Sequence, residues 1–350
     1  MMKILGIETS CDETAAAVLE APLRVCSSVV ASQIAKHGPY GGVVPEIACR
    51  EHVQALPLVL AQAVQEGGSG WADLDAIAVT YAPGLAGALL TGLSAAQALH
   101  MRLGIPLFAV NHLHGHLFSP FLDPSAPHPD TVYPFLALVV SGGHTCLVRV
   151  DGPGIYGLLG TTVDDAAGEA FDKGANLLGL GYPGGHRIDA LAKDGDSKAV
   201  RFPRGIVKPG SGLTGEMDVR CCFSFSGVKT ALRYHLVEKP LAAGDTQRLA
   251  DLAASYQAAI VDALVKRVVY ALECWGFRSL AVGGGVSLNA GLRVALVEVA
   301  ASRGIRLLLT PPTYCGDNAA MIAAVAGLGA ANIVRDVSGL DVDPSPEVLF

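Results

Sequence analysis

A chain of 350 residues with 51% hydrophobic side chains is long enough for two domains and has ample apolar material for their cores. Its net charge of −7 excludes a global basic field for attracting nucleic acid, so any RNA contact must be local or completed by a partner. The longest uncharged stretches, Ala76 to Met101 and Asn318 to Val334, are rich in Ala, Gly and polar residues, which reads as buried helices and loops rather than membrane spans.

The 41 glycines sit singly or in pairs at the ends of apolar runs, as in an α/β protein with many tight turns. The eight cysteines (11, 26, 49, 146, 221, 222, 274 and 315) show no CxxC spacing and read as reduced structural thiols of a cytoplasmic protein. Met1-Met2-Lys3 runs directly into a strand-like segment, so no N-terminal signal is expected.

In chain order, residues 3–9 and 14–20 read as two strands joined by the polar turn Ser10-Cys11-Asp12-Glu13, and Arg24 to Ser32 reads as a third. A turn offering hydroxyls, amides and carboxylates can hold a phosphate or a metal-bound phosphate, although an ordinary hairpin uses the same residues. Nothing adjacent in sequence activates Cys11 as a nucleophile. Tyr40 to Pro45 reads as a loop, with Pro45 in the first turn of a helix running to about Gln65. A strand (Ala76 to Thr80), a turn at Pro83-Gly84 and a helix to about Leu103 follow, then an apolar strand at 106–110.

That strand opens on Asn111-His112-Leu113-His114-Gly115-His116. In a helix, His112 and His116 share one face with the spacing that lets two imidazoles grip one metal ion, while His114 points elsewhere. The alternative is a strand-to-helix loop whose histidines bond to the backbone. Leu113 stands where a zinc peptidase carries its glutamate base, and Gly115 weakens a helix at this point. Two histidines also leave the ligand set incomplete.

Phe121 to Tyr133, rich in proline, reads as a linker. Beyond it the opening pattern returns: strand Phe135 to Val140, turn Ser141-Gly142-Gly143-His144-Thr145, strand Cys146 to Val150. Two such units imply a duplicated architecture with a cleft, and Gly142 and Gly143 leave backbone N–H groups open to an anion. Residues 164–180 carry an amphipathic helix with Asp172 and Lys173, and Tyr182 to Gly185 turns into a helix holding Asp189. Lys198 to Lys208 is locally basic, either a solvated loop or an RNA or phosphate contact. A helix from about Thr246 to Trp275 leads to a strand that ends in Gly283-Gly284-Gly285 and runs past Asn289 into a helix, a shape suited to a nucleotide. Asp317, ahead of the closing helix, is either a helix cap or the missing metal ligand. The boundaries predicted are 1–124, 132–330 with its closing helix returning to the first domain, and a loosely held tail at 331–350.

The two strand–turn–strand units and the glycine-rich turn resemble the actin/sugar-kinase/heat-shock ATPase (ASKHA) architecture, a duplicated two-domain α/β fold with a central cleft. The segments Ile7-Glu8-Thr9-Ser10-Cys11-Asp12-Glu13-Thr14, Gly41 to Glu46, His112-x-x-x-His116, Val140 to Thr145, Gly168 to Lys173, Phe223 to Gly227 and Asp317-Asn318 resemble the bacterial tRNA N6-adenosine threonylcarbamoyltransferase family. The resemblance runs from Lys3 to about Gly329. It implies His112, His116 and Asp317 as ligands of one divalent metal per chain, iron first and zinc second. It also implies Val139, Val140, Ser141, Gly142, Gly143, Asp172, Gly185, Asp189 and Asn289 as the positions that hold threonylcarbamoyl-AMP. Archaeal and eukaryotic relatives carry tyrosine where this chain has Val139, which leaves the fourth ligand place to a substrate oxygen or water.

The implied reaction moves the threonylcarbamoyl group from an activated mixed anhydride to N6 of the adenosine 3′ of the anticodon, in tRNAs reading codons that begin with A. Its needs are alignment and charge stabilisation, and Glu13 is the candidate general base. The implied partners are tRNA, a smaller paralogue of the same fold and a P-loop ATPase, in the cytoplasm and away from any membrane. Three rival functions share these features: an ATPase or kinase of the same fold, a nucleotide-gated scaffold, and the metallopeptidase that the missing glutamate disfavours.

Overall fold

The computed structural model describes residues 1–207 and 217–346. Lys208, the last residue of the basic stretch, lies outside them. The chain divides into two compact units. The first comprises Met1–Thr131, Gly152–Ile155 and the chain from Thr310 onward; the second comprises Val132–Asp151 and Tyr156–Leu309.

In the first unit, β1 (Lys3–Glu8) pairs antiparallel with β2 (Glu13–Glu20), and β2 antiparallel with β3 (Arg24–Ser32). On its other edge β1 runs parallel to β4 (Ala76–Ala82), which runs parallel to β5 (Leu107–Asn111), giving the order β3-β2-β1-β4-β5. β1 is apolar at every position but its ends because helices cover both faces of the sheet. Leu5 and Ile7 join a core with Leu56, Val59 and Leu60 of α2 (Pro45–Glu66) and Leu93 of α3 (Ala86–Leu103). Between them Gly6 faces the other way, where a Cβ would stand 2.2 Å from the Ala319 carbonyl oxygen of the closing helix. A short α1 (Ile34–His37) precedes α2, and α4 (His112–Phe118) follows β5.

The second unit repeats the pattern. β6 (Phe135–Val140) pairs antiparallel with β7 (Thr145–Gly152) and parallel with β9 (Ser279–Gly283), with β8 (Ile155–Thr161) and β10 (Arg306–Leu309) at the edges. The order β8-β7-β6-β9-β10 mirrors that of the first sheet. Its helices are α5 (Ala167–Leu177), α6 (Gly185–Ala192), α7 (Ser226–Glu238), α8 (Thr246–Trp275) and α9 (Ala290–Arg303), and α10 (Ala319–Gly327) closes the chain's helical part in the first unit.

Two expectations need correction. The stretch read as a linker contains the division between the units, after Thr131, yet it is partly packed: Phe121, Leu122, Pro129 and Val132 are buried, and two 3-10 turns, Ser119–Leu122 and Pro129–Thr131, order it. The described part of the tail, to residue 346, is held at spaced points. Val334, Val337, Leu340 and Val342 pack against the first unit's core, Gln97 donates to the carbonyls of Val337 and Leu340, and Gly84 N donates to Pro344 O at 3.2 Å. Spaced apolar residues can hold a strap without any regular element, and composition alone does not reveal this.

Candidate metal centre

The chain leaves β5 through Asn111, whose side-chain oxygen accepts from Leu113 N at 2.8 Å and so caps α4. The segment is helical, so His112 and His116 lie one turn apart, with ring centroids at 4.7 Å and planes at 85°. Gly115, a weak helix former, is here a packing requirement: a Cβ would meet Met321 Cγ at 2.8 Å, so its absence lets α4 press against α10.

Asp317 comes to the same place from the other end of the chain. It is not the cap of α10. Asn318 is, accepting from Met321 N at 3.0 Å while its Nδ2 donates to Tyr314 O and Gly316 O. With the cap supplied by its neighbour, Asp317 directs Oδ1 to within 3.4 Å of His112 Nε2 and 3.3 Å of His116 Nε2. One ligand atom from each of the three residues fits within 4.8 Å, a spacing that can hold one metal ion.

The surroundings fit a metal. His116 is fully buried; among the described residues its Nδ1 has no hydrogen-bond partner, and its Nε2 faces Asp317 Oδ1. Such a group costs about 1–3 kcal/mol unless something satisfies it. Two imidazoles and one carboxylate are a donor set suited to Fe2+ or Zn2+ with a position left open. Burial dominates at His116 and pulls its imidazole below the ordinary range, keeping it neutral. Burial also opposes charge on His112, but Asp317 and Glu8 outweigh it and hold that imidazole up at about 9. His114 lies outside the group, and burial pulls it down to about 4.

The turn between β1 and β2 borders this centre. Burial, then Asp317 and Asp12, pushes the Glu13 carboxyl well above the carboxylate range, and Ser32 Oγ donates to it at 3.2 Å. Burial likewise pushes the Cys11 thiol far up, which removes it as a nucleophile. The residue that sequence reading passed over is Glu8. It is completely buried at the end of β1, with Oε2 at 2.9 Å from His112 Nδ1. Its signals are a charged residue closing an apolar strand and a place in the Ile7 to Thr14 segment that carries the resemblance.

In the second unit, Val139 and Val140 are buried strand residues, and the Val139 side chain carries no atom that could ligate a metal. Ser141 to His144 forms a tight turn: Ser141 N donates to His144 O at 2.8 Å and His144 N to Ser141 Oγ at 3.2 Å. The first amides of α5 lock it, Gly168 N donating to Ser141 O and Glu169 N to Gly142 O, while Gly142 and Gly143 remain exposed. Asp172 accepts from Gly184 N at 2.6 Å, ahead of Gly185 at the start of α6. Asp189 accepts from Ala290 N, and Asn289 caps α9 through Leu292 N and donates to Gln257. Asp189, Lys193, Gln257, Ala290, Gly291 and Glu298 line a shallow groove beside this cap. Of the basic stretch, Lys198 and Arg201 are exposed, but Arg204 is tied to Asp262 and Phe202 O.

Residues 24–324 match the family model described as tRNA N6-adenosine threonylcarbamoyltransferase. Proteins of that name from Trichlorobacter lovleyi and an Anaeromyxobacter species (strain Fw109-5) are 52% and 51% identical to the chain. The first alignment covers 93% of this chain and 91% of the relative, the second 99% of each. Among solved structures, T. kodakarensis HypF matches with a TM-score of 0.57 at 14% identity, over 94% of this chain and 47% of that one. That likeness, with the repeated strand order, gives an α/β fold of the actin/sugar-kinase/heat-shock ATPase class. No described helix is long and apolar enough to cross a membrane. The chain belongs to the tRNA N6-adenosine threonylcarbamoyltransferase family, enzymes that form N6-threonylcarbamoyladenosine in tRNA.

Proposed function

We propose that the chain performs this transfer as a metal-assisted acyl transfer, with threonylcarbamoyl-AMP as donor and the adenosine 3′ of the anticodon as acceptor. The observation that carries the proposal is the convergence of His112 Nε2, His116 Nε2 and Asp317 Oδ1 in a buried place, with His116 otherwise unsatisfied. The donor is already activated and the acceptor amine is weak, because its lone pair is delocalised into the ring. Catalysis therefore reduces to alignment and to stabilising charge on the donor carbonyl oxygen.

His112, His116 and Asp317 would hold one divalent ion, Fe2+ in preference to Zn2+. Bound there, it supplies Lewis-acid positive charge against developing negative charge. The exposed amides of Gly142 and Gly143 suit the adenylate phosphate, and Asp172, Gly185, Asp189 and Asn289 would hold the rest of the nucleotide, within hydrogen bonds that already fix α5, α6 and α9. Val139 and Val140 support that turn as buried strand residues. Glu13, the candidate general base, would take the proton released by the amine only once ionised, a form that burial, Asp317 and Asp12 oppose and that a cation bound at Asp317 would favour. An anticodon loop presents splayed bases that can be read without opening a duplex. With a net charge of −7, the RNA surface would be completed by partners: a smaller paralogue of the same fold and a P-loop ATPase, in the cytoplasm.

The test is transfer of threonylcarbamate from the preformed adenylate to an unmodified tRNA with adenine 3′ of its anticodon, with the partner proteins present. Modified tRNA with release of AMP is expected. Absence of product with competent partners and tRNA would overturn the donor assignment.

A further inference from the structure

Glu8 poses a physical problem that the proposed chemistry does not use. A fully buried carboxylate loses several kcal/mol of hydration unless partners replace it. Here three donors converge on it. Ser10 N reaches Oε1 at 2.5 Å, while Thr80 Oγ1 at 2.6 Å and His112 Nδ1 at 2.9 Å both reach Oε2. Thr80 is fully buried in β4, the parallel neighbour of β1, so the carboxylate is held from two strands at once. Ser10 Oγ lies 3.2 Å from the same His112 nitrogen.

The consequence falls on the other face of the imidazole. A histidine that ligates a metal has given up the proton on its ligating nitrogen and carries one on the other; a carboxylate at Nδ1 keeps that proton there, which leaves the Nε2 lone pair toward His116 and Asp317. His116 has no such support at its own Nδ1, which has no hydrogen-bond partner among the described residues. We infer that Glu8 is a positioning residue for the metal centre: it fixes the His112 tautomer and ring plane so that Nε2 is the ligand atom, and it strengthens that nitrogen as a donor. This rests on the proposed ligation by His112, His116 and Asp317.

Glu8→Gln separates the charge from the shape. An amide has one acceptor oxygen, yet three donors point at the two carboxylate positions. If the amide nitrogen faces His112, Nδ1 must accept and the proton moves to Nε2, blocking the lone pair. If it faces Ser10 N instead, two donors oppose each other in a buried place.

The experiment is Co2+ titration of the chelated full-length protein, followed by its visible absorption and by calorimetry, on wild type and Glu8→Gln. A loss of about 10–100-fold in Co2+ affinity, in protein shown to be folded by circular dichroism, is expected. Affinity within about threefold of wild type would overturn the inference, and a purely structural role would lower thermal stability while leaving the affinity of the folded protein there. A second measurement needs no variant: nitrogen-15 NMR of the Zn2+-loaded wild type, which should show His112 ligated through Nε2 with its Nδ1 proton retained. Ligation through Nδ1, or loss of that proton, would overturn the inference even if Glu8→Gln fails to fold. Wild type that takes up neither ion would instead remove the metal reading beneath it.

Discussion

A methyl group added at Gly6 should disable the proposed metal centre without touching a proposed ligand. Gly6 lies in the middle of β1 with its α-carbon against the first turn of α10; an added Cβ would stand 2.2 Å from Ala319 O and 3.1 Å from both Ala319 C and Ala323 Cβ. Carbon and oxygen atoms in contact sit above about 3 Å apart, so strand and helix must separate by roughly 1 Å. Overpacking of this kind costs about 1–3 kcal/mol, against about 5–15 kcal/mol for a whole domain, so Gly6→Ala should still fold. The proposed metal centre has far less tolerance. Asp317 is two residues before Ala319, and ligand distances must hold to about 0.2 Å. The expected result is a modest drop in melting temperature with Co2+ affinity weakened by at least the ~10–100-fold that a disturbed supporting contact costs. Gly227→Ala is the control, since its added Cβ meets nothing within 4 Å. Gly6→Ala with unchanged stability and unchanged Co2+ affinity would refute the reasoning.

Asp164 accepts from Phe225 N, Ser226 N and the hydroxyls of Ser224 and Ser226, anchoring the start of α7. Burial opposes its ionisation, but those hydroxyls and amides win and hold its carboxyl below the ordinary range. A depressed carboxylate contributes stability that is present above its unfolded value of about 3.9 and is lost as pH falls through the folded value. Asp164→Ala should cost about 1 kcal/mol near neutral pH, as loss of a helix cap does, and denaturant melts should show that gap closing below about pH 4. Gly284→Ala should destabilise by about 1–3 kcal/mol, because φ is +94° and a Cβ would stand 2.2 Å from Val140 O; Gly285→Ala, with open space, should melt within about 1 kcal/mol of wild type.

What the sequence revealed follows the range of the forces involved. Both ends of α8 are legible because its signals are local: Asp245 accepts from Arg248 N, and Gly276 takes the left-handed turn at φ +67°. The hairpins β1–β2 and β6–β7 are legible for a similar reason, apolar runs broken by a short polar turn. β8 and β10 are not. β8 carries Gly157 and Gly160 and β10 begins with exposed Arg306, so only pairing with distant strands makes them strands. Helical spacing groups His112 with His116 directly, but the choice between Asp317 and Asn318 as cap depends on how the loop from Tyr314 closes. Glu8 is the extreme case. Its partners Thr80 and His112 are 72 and 104 residues away, and no local pattern links them. The tail at 331–346 misleads composition because a few spaced apolar residues suffice to strap it down.

The most direct measurement is threonylcarbamoyl transfer by chelated wild type, with partners, as Fe2+ or Zn2+ is returned, beside His112→Ala. If three residues hold one ion that carries the chemistry, the rate should rise with occupancy and saturate at about one ion per chain, and His112→Ala should fall by a hundredfold or more, about 3 kcal/mol. Full activity in the chelated protein, or undiminished transfer by His112→Ala, would contradict it.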